Sequence, residues 1–418
     1  MARLQHIVGI DCGSSTVQTV IASEPAEPGG RLRVIGVGVA PSQGFRRGSV
    51  VDAEEAGRSI RQSVAIAERM AGVKVNQAFV SIGGVHIGSQ PSRGVIVVSR
   101  ADGEISTEDV GRVLAAAQAV SLPSNREVIH VIPREYFVDG EGGIPDPLGM
   151  KGVRLEVDAL LIHASSPYLK NMQKAFAYAE VVPEGFVLDV LAAAQAVLHK
   201  RQKELGVLAI DIGGGTVSCG VFEEGKLLSA AVLPVGAAHI TNDIAIGLRT
   251  GIDVAEQVKV SYGTCFPEEF SKKELVELEQ FSPLERGVAV PRRMVAEIIE
   301  ARVSEMFDLV VKELKRIGRD GQLPAGAVLV GGGAKIPGLV DLAKKRLRLP
   351  VQLGFPAEFD GLSDQIDDPM FASAVGLTLW GEEARLQGGL SRRLGLGALA
   401  SFNNAYGVFR RFLKNFLP

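Results

Sequence analysis

The chain has few cysteines, few aromatic residues and no long apolar run. Its three cysteines, Cys12, Cys219 and Cys265, lie far apart, without a Cys-x-x-Cys or Cys/His cluster. This spacing excludes a disulfide framework and a structural zinc site, and it is typical of a reducing compartment. No stretch approaches the roughly 20 apolar residues of a membrane-spanning helix. The first apolar run ends at Asp11 and is too short for a signal peptide. The sequence therefore predicts a cytoplasmic protein that is at most peripheral to a membrane.

An excess of either charge is also lacking. The 418 residues include 45 Lys or Arg and 48 Asp or Glu, which gives a formal net charge of −3. Proteins that bind nucleic acid usually show a strong basic excess, so we expect no nucleic-acid partner. The length predicts two or more domains, because a single hydrophobic core stops growing near about 250–300 residues.

The strongest internal pattern is a motif that recurs 200 residues further along the chain. Gly9–Thr16 reads GIDCGSST and Ala209–Thr216 reads AIDIGGGT. Each copy places an aspartate, Asp11 or Asp211, at the end of an apolar strand and before a turn of glycines and hydroxyls. The repetition predicts two related α/β domains.

Both turns have the chemistry of a phosphate site. Glycines allow backbone N–H groups to approach phosphate oxygens, hydroxyls add donors, and an aspartate can hold a hydrated Mg²⁺. One such turn alone is more often a plain β-hairpin. Two turns that face each other across a cleft predict a nucleotide site, with the cofactor contacts at Gly13, Ser14, Ser15, Gly213, Gly214, Gly215 and Thr216.

A third glycine turn follows a later apolar strand. The segment VLVGGGAKIP contains Gly331, Gly332 and Gly333, followed by Lys335. A strand that runs into glycines and then into a helix offers a flat backbone surface for a purine ring, with a helix N-terminus near phosphate. Such turns are common in α/β proteins, so the prediction depends on the order of all three turns.

The last residues predict an amphipathic helix over 404–418. At 100° per residue, the apolar flank includes Val408, Phe409, Phe412, Leu413 and Phe416, and the cations Arg410, Arg411 and Lys414 gather opposite. A basic, phenylalanine-rich helix of this kind suits the interface of an anionic membrane. The alternative is a terminal helix that docks on its own domain.

The order of these motifs resembles the actin-like ATPase superfamily, and within it the FtsA family of bacterial cell-division proteins. The resemblance covers essentially the whole chain and includes the segments IGVGVAPSQGFRRGSVVD, EVIHVIPREYFVD, KELGVLAIDIGGGT and LVGGGAKIPGL. It implies two related domains around a nucleotide cleft, joined by linking helices at Phe186–Leu198 and Phe371–Gly381. It also implies an inserted α+β subdomain in the first domain.

This organisation divides the chain into eight segments. The Gly- and Pro-rich stretch Asp139–Lys151 is predicted to be a loop within the insert. The segments are 1–83 and 166–204 for the first domain, 84–165 for the insert, 205–245 and 326–385 for the second domain core, 246–325 for its outer subdomain, 386–403 for a linker and 404–418 for the terminal helix.

The resemblance also implies ATP and Mg²⁺ as cofactors. Asp11 and Asp211 would contact the metal through water, and Glu256 and Lys259 match a Glu-x-x-Lys pattern that reaches ribose and adenine. Asp189, in the first linking helix, is either a third catalytic acid or a partly exposed helix residue. The family usually has an aspartate where this chain has Ser218, so at most slow ATP hydrolysis is expected.

The resemblance further implies a function at the division site. Family members tether FtsZ filaments to the cytoplasmic face of the inner membrane, self-associate into filaments and recruit later division proteins. Arg302 matches a position that engages the FtsZ C-terminal tail; a solvated helix face is the alternative role. Two other functions remain open for the whole chain: a pilus-assembly actin-like ATPase, and a sugar or acetate kinase of the same superfamily.

Overall fold

The computed structural model describes residues 6–25, 30–119, 122–271, 273–357 and 359–393. The terminal helix predicted for 404–418, with its membrane-contacting residues from Val408 to Phe416, lies outside the described residues. So does the part of the predicted linker from 394 to 403. Within the described residues, strands and helices form two α/β domains and one inserted subdomain.

The elements have the following bounds. The strands are β1 (His6–Cys12), β2 (Thr16–Ser23), β3 (Arg33–Pro41), β4 (Phe45–Arg46), β5 (Ser49–Val50), β6 (Gln77–Ile82), β7 (Gly88–Val97), β8 (Arg126–Val138), β9 (Glu141–Ile144), β10 (Arg154–Ser165), β11 (Val182–Leu188), β12 (Val207–Ile212), β13 (Val217–Glu223), β14 (Lys226–Leu233), β15 (Leu275–Glu277), β16 (Ala289–Pro291), β17 (Ala327–Val330), β18 (Val351–Leu353) and β19 (Asp360–Gly361). The helices are α1 (Ala53–Ala71), α2 (Thr107–Gln118), α3 (Ser166–Tyr178), α4 (Asp189–Val197), α5 (Lys200–Leu205), α6 (Ala237–Leu248), α7 (Ile252–Tyr262), α8 (Arg292–Arg316), α9 (Leu339–Leu347), α10 (Ser363–Ile366) and α11 (Ala372–Arg393).

The two domains share one sheet topology. The second sheet has the order β14-β13-β12-β17-β18. The first sheet, listed from the equivalent edge, has the order β19-β3-β2-β1-β6-β11 and so has one extra strand, β19. In each sheet the strand that ends in the aspartate, β1 or β12, pairs antiparallel with the next strand and parallel with a later one. The fold repeat that the recurring motif predicted is therefore present in the strand order.

The inserted subdomain is a separate antiparallel sheet covered by one helix. Its strands lie in the order β7-β10-β8-β9, and α2 packs on them around its own apolar cluster. Helix α2 begins after Ser106, whose hydroxyl accepts a hydrogen bond from the N–H of Asp109, while the Asp109 carboxylate accepts one from the N–H of Ser106. This reciprocal cap satisfies two backbone donors at the helix start.

The structure corrects three details of the predicted elements. The stretch Asp139–Lys151, predicted to be a loop, contains β9, because Glu141 and Ile144 pair with β8. The first linking helix begins at Asp189, not Phe186; the residues before it form β11, which pairs in parallel with β6. Helix α11 continues to Arg393 and so enters the segment predicted to be a linker.

Two linking helices join the domains at a close crossing. Helices α4 and α11 pack together so tightly that a Cβ added to Gly376 would lie 1.7 Å from the carbonyl oxygen of Ala192. Only glycine permits backbones to approach this closely. Further along the chain, the predicted boundary at residue 245 falls inside α6, and both flanking segments contribute to one apolar cluster. The outer subdomain thus packs as one unit with the second sheet.

Candidate functional site

A cleft of about 470 Å³ opens between the two domains. Its volume lies in the range of about 300–1,000 Å³ that is usual for small-molecule sites. All the cleft residues predicted from the sequence line it. They are Asp11, Gly13, Ser14, Ser15, Asp189, Asp211, Gly213, Gly214, Gly215, Thr216, Glu256, Lys259, Gly331, Gly332, Gly333 and Lys335.

Two turns with the same backbone geometry form opposite walls of the cleft. In the first turn, which joins β1 to β2, the N–H of Gly13 donates to the carbonyl of Thr16 at 3.1 Å. In the second, which joins β12 to β13, the N–H of Gly213 donates to the carbonyl of Thr216 at 3.0 Å. The recurring motif therefore folds into the same hairpin turn twice.

The two turns approach each other closely across the cleft. A Cβ added to Gly214 would lie 2.1 Å from the Ser15 hydroxyl, and one added to Gly215 would lie 2.7 Å from the Ser14 hydroxyl. The side chains of the first turn thus occupy space that the glycines of the second leave free. A side chain at either glycine would separate the turns unless the serines moved.

The third glycine turn lies between the second domain's sheet and the cleft. Gly331 has a φ of 86°, and a Cβ there would lie 2.3 Å from a carboxylate oxygen of Asp211. At Gly332, in contrast, a Cβ would meet no atom within 4 Å. The chain then makes a short 3-10 turn over Gly332–Lys335, and α9 begins only at Leu339. Lys335, the last residue of the 3-10 turn, forms an ion pair with Asp368.

Three carboxylates converge at the base of the cleft, and each has a serine partner from a different element. Ser81, at β6, hydrogen-bonds Asp11. The Ser218 hydroxyl donates to Asp189 at 2.8 Å, and the Ser373 hydroxyl, in the first turn of α11, donates to Asp211 at 3.0 Å. The sequence motifs did not identify Ser81 or Ser373 as site residues, because neither lies near its aspartate partner in the chain. Ser218 replaces the aspartate that is usual in the family, and its hydroxyl orients the Asp189 carboxylate.

Burial and mutual repulsion raise the pKa values of these carboxylates. Burial, and secondarily the charge of Asp11, raises the pKa of Asp211 to about 7. Burial raises the pKa of Asp189 well above its usual range, and the Asp211 carboxylate raises it further. Burial also raises the pKa of Asp11, against the opposing hydrogen bond from Ser81. A cation in the cleft would favour the charged form of all three.

The donor set fits a metal ion held through water. Among the described residues, no group of three or more His, Cys, Asp or Glu side chains is arranged to bind a metal directly. The converging carboxylates nevertheless offer the oxygen acceptors that a hydrated Mg²⁺ uses. The water-mediated contacts of Asp11 and Asp211 stay a prediction, and Asp189 lies beside these residues at the start of α4.

One wall of the cleft carries an ion pair on α7. The Lys259 ammonium lies 2.6 Å from a carboxylate oxygen of Glu256, one helical turn away. Thr241 of α6 links the pair, since its hydroxyl donates to Glu256 at 2.6 Å and accepts from Lys259 at 2.8 Å. Thr241 fixes both side chains but was not recognisable from the Glu-x-x-Lys pattern.

Arg302 lies on α8, away from the cleft. Its guanidinium donates to Asp243 of α6 at 2.8 Å and also pairs with Glu305 on its own helix. Its side chain is 24% exposed. Arg302 is therefore neither a solvated, unpaired cation nor a residue of the cleft.

Among the described residues, no helix combines the length and apolarity that crossing a membrane requires.

Solved structures of other proteins share this fold over most of the chain. A type IV pilus biogenesis complex of PilM and PilN matches with a TM-score of 0.66 at 18% identity, over 90% of this chain and 98% of that one. MreB5 of Spiroplasma citri bound to ADP matches with a TM-score of 0.52 at 14% identity, over 90% and 96% of the two chains. At these identities the likeness concerns the fold alone. Together with the paired turns around the cleft, it defines an actin-like protein of two related domains.

Sequence relatives identify the branch of this class. A family model for cell division protein FtsA matches residues 208–376, and a model for the SHS2 domain inserted in FtsA matches residues 84–163. FtsA of Pseudomonas aeruginosa is 37% identical over 394 residues, which is 93% of each chain. FtsA of Bacillus subtilis is 39% identical over 382 residues, 91% of this chain and 84% of that one. The chain belongs to the FtsA family of cell-division proteins.

Proposed function

We propose that the chain binds ATP with Mg²⁺ in the cleft between its domains. The observation that carries this proposal is the pair of matching turns that face each other above three converging carboxylates. Backbone N–H groups and hydroxyls of both turns supply donors for the phosphates, and Asp11, Asp189 and Asp211 supply acceptors for the water shell of Mg²⁺. The fold relatives from Spiroplasma citri were solved with ADP and with AMPPNP, which supports nucleotide binding by a protein of this fold.

The glycine turn after β17 gives a direct test of nucleotide binding. Since a Cβ at Gly332 meets nothing in the protein, Gly332→Val should leave the fold intact and place a branched side chain where the nucleotide lies. We expect ATP affinity to fall by at least tenfold, or about 1.4 kcal/mol, with an unchanged melting temperature. Gly111→Val is the matched control, because a Cβ at Gly111 is equally unobstructed but lies on α2 of the insert. ATP affinity that is the same in both variants would refute the proposed site.

We also propose that the chain acts as a membrane tether at the division site. In this proposal the nucleotide-bound body binds the acidic C-terminal tail of FtsZ, self-assembles and recruits later division proteins. The predicted helix 404–418 attaches it to anionic lipid on the cytoplasmic face of the inner membrane. Membership in a cell-division family supports this function over the kinase and pilus-assembly alternatives. The pilus-assembly alternative is supported only by a similar fold at 18% identity.

Arg302 is the proposed contact for the FtsZ tail, and its ion pairs shape the test. Because Asp243 and Glu305 already neutralise its charge, an acidic tail must compete with them for the guanidinium. Asp243→Asn should therefore strengthen tail binding, whereas Arg302→Ala should weaken it, and more strongly at low salt. Arg293→Ala is the control, since Arg293 lies on the same helix and pairs with Glu297.

Co-sedimentation with anionic vesicles and FtsZ filaments separates the two attachments. Phe412→Glu puts a charge into the apolar flank and should abolish vesicle binding at any salt concentration. Arg302→Ala should keep vesicle binding but lose FtsZ from the vesicle pellet. If Phe412→Glu still sediments with vesicles in the absence of FtsZ, the terminal segment is not the anchor.

A further inference from the structure

The inserted subdomain contacts both domains, although it is covalently part of the first domain only. It leaves that domain after β6 at Gly83 and Gly84, and it returns through Ser165 into α3. Its strands β7, β8 and β10 also lie against β14, the edge strand of the second sheet. A unit attached to one domain and docked on the other must respond when the two domains move apart.

The start of the insert packs against the turn between β4 and β5. That turn contacts both of the turns that face each other across the cleft. Arg47 and Gly48, which join β4 to β5, have φ values of 50° and 71°, and two successive left-handed residues make a tight hairpin turn. The N–H of Gly48 donates to the Ser14 hydroxyl at 2.9 Å, and a Cβ on Gly215 would lie 2.7 Å from the Cα of Arg47. On its other side, a Cβ on Gly48 would lie 2.7 Å from the backbone nitrogen of Gly84. The turn thus fills the space between the cleft and the first residues of the insert.

The insert is held on the second domain by two hydrogen bonds to β14. The Ser89 hydroxyl of β7 donates to the carbonyl of Ala230 at 2.7 Å, and the Arg134 guanidinium of β8 donates to the carbonyl of Leu228. These carbonyls are two residues apart, so both point outward from the edge of the sheet. An edge strand presents unpaired carbonyls of this kind, and the insert satisfies two of them.

An apolar cluster continues across the same contact. Ile132, Leu160 and Ile162 of the insert belong to one buried cluster with Leu227 and Ala230 of β14. The cluster also includes residues of β11 and of both linking helices. Buried apolar contact of this kind stabilises the docked position in addition to the two hydrogen bonds.

We propose that docking of the inserted subdomain on β14 is thermodynamically coupled to nucleotide occupancy of the cleft. The proposal rests on the proposed binding of ATP: a nucleotide held by both domains favours their close approach, and the docked insert favours the same approach from outside the cleft. Coupling between two sites is reciprocal, so loosening the insert must weaken nucleotide binding by the same factor by which nucleotide strengthens docking.

The test uses the full chain with Ser89→Ala and Arg134→Ala combined, which removes both hydrogen bonds to β14. We expect the affinity for Mg·ATP to fall roughly three- to tenfold, the range for one or two hydrogen bonds, although neither residue lines the cleft. In the wild-type protein, Mg·ATP should slow hydrogen exchange of the amides in 226–233 and 84–90. In the double variant, that protection should disappear from 226–233.

Ser92→Ala combined with Arg93→Ala is the matched control. These residues lie on the same strand as Ser89, but Ser92 donates to Ala117 and Arg93 pairs with Glu156, both within the insert. The control should bind Mg·ATP like the wild type and retain the protection. Ser89→Ala alone provides a milder variant if the double variant does not fold.

The outcomes distinguish this coupling from the proposed function. If the wild type binds Mg·ATP and the double variant binds it equally well with unchanged protection at 226–233, the coupling is refuted and nucleotide binding stands. If the wild type itself does not bind Mg·ATP, the proposed function fails and the coupling fails with it.

Discussion

The two turns that face each other across the cleft have the same backbone but different side chains. Each follows a strand that ends in an aspartate, and each closes with the same hydrogen bond from a glycine N–H to a threonine carbonyl. The first turn contains Ser14 and Ser15 where the second contains Gly214 and Gly215. Ser15 faces Gly214 and Ser14 faces Gly215, so the two copies are complementary, and the serines of the first turn would not fit in the second.

The turns also differ in what supports them from behind. Ser42, after β3, holds the first turn, since its hydroxyl donates to the Gly13 carbonyl at 2.7 Å. The start of α6 holds the second, where the N–H groups of Ala237 and Ala238 donate to the carbonyls of Gly213 and Gly214 at 2.9 and 2.8 Å. A repeated motif can thus keep its local geometry while each copy specialises in a different environment.

The turns should differ most in how much ATP affinity is lost when alanine replaces the residue before the threonine. In Gly215→Ala the new Cβ would lie 2.7 Å from the Arg47 backbone, which cannot rotate away, so the turns must separate. We expect ATP affinity to fall by more than about tenfold, or 1.4 kcal/mol, as measured by titration with a fluorescent ATP analogue.

The equivalent position in the first turn provides the comparison. Ser15→Ala removes one hydroxyl without adding bulk, so its loss should be at most about tenfold and limited to a hydrogen bond. Equal losses in Gly215→Ala and Ser15→Ala would mean that the two turns are not complementary in the way the structure indicates.

A smaller difference should appear in the pH dependence of stability. Because the pKa of Asp211 is raised from 3.8 to about 7 in the folded protein, the folded state binds a proton that the unfolded state releases. The contribution of Asp211 to the stability of the nucleotide-free protein is therefore fully present below about pH 4 and is lost as the pH rises to about 7. Asp211→Asn should remove this loss and raise the melting temperature at pH 8 by roughly 2–4 °C.

Asp11→Asn tests whether the two aspartates are equivalent. Its pKa is also raised, but by burial alone, whereas the charge of Asp11 adds to the effect of burial at Asp211, so the gain in melting temperature at pH 8 should be smaller than for Asp211→Asn. Mg·ATP should shrink both gains by supplying a cation to the wild-type carboxylates. A larger gain for Asp11→Asn would mean that the pKa of Asp11, and not that of Asp211, is raised more strongly.

The last difference concerns the serine partners of the two aspartates. Ser81 also accepts the N–H of Cys12 at 2.9 Å, whereas Ser373 also lies 3.3 Å from the carbonyl of Asp189. Ser81→Ala leaves a buried N–H unpaired and should cost roughly 1–3 kcal/mol in the free energy of unfolding. Ser373→Ala should mainly weaken Mg·ATP binding by a few fold. Calorimetry of both variants, with and without Mg·ATP, would contradict this if Ser373→Ala destabilised the free protein more.

Much of the fold could be predicted because its signals are local. Short apolar runs before the aspartates identified β1 and β12, and the recurring motif indicated the duplicated sheet that both strand orders display. Elements without a strong local signal were missed. Strand β11 contains Pro183 and Gly185 and exists because β6 offers a parallel partner, and β9 depends in the same way on β8.

The sequence by itself determined the two turns, the third glycine turn and the aspartates that line the cleft, because each is encoded within about ten contiguous residues. Only the tertiary structure decided which groups surround them. It paired Ser373 with Asp211 over 162 residues, Arg302 with Asp243 over 59, and Ser89 with Ala230 over 141. Such contacts follow from how sheets and helices pack, and packing depends on the burial of the whole apolar surface and not on any one segment.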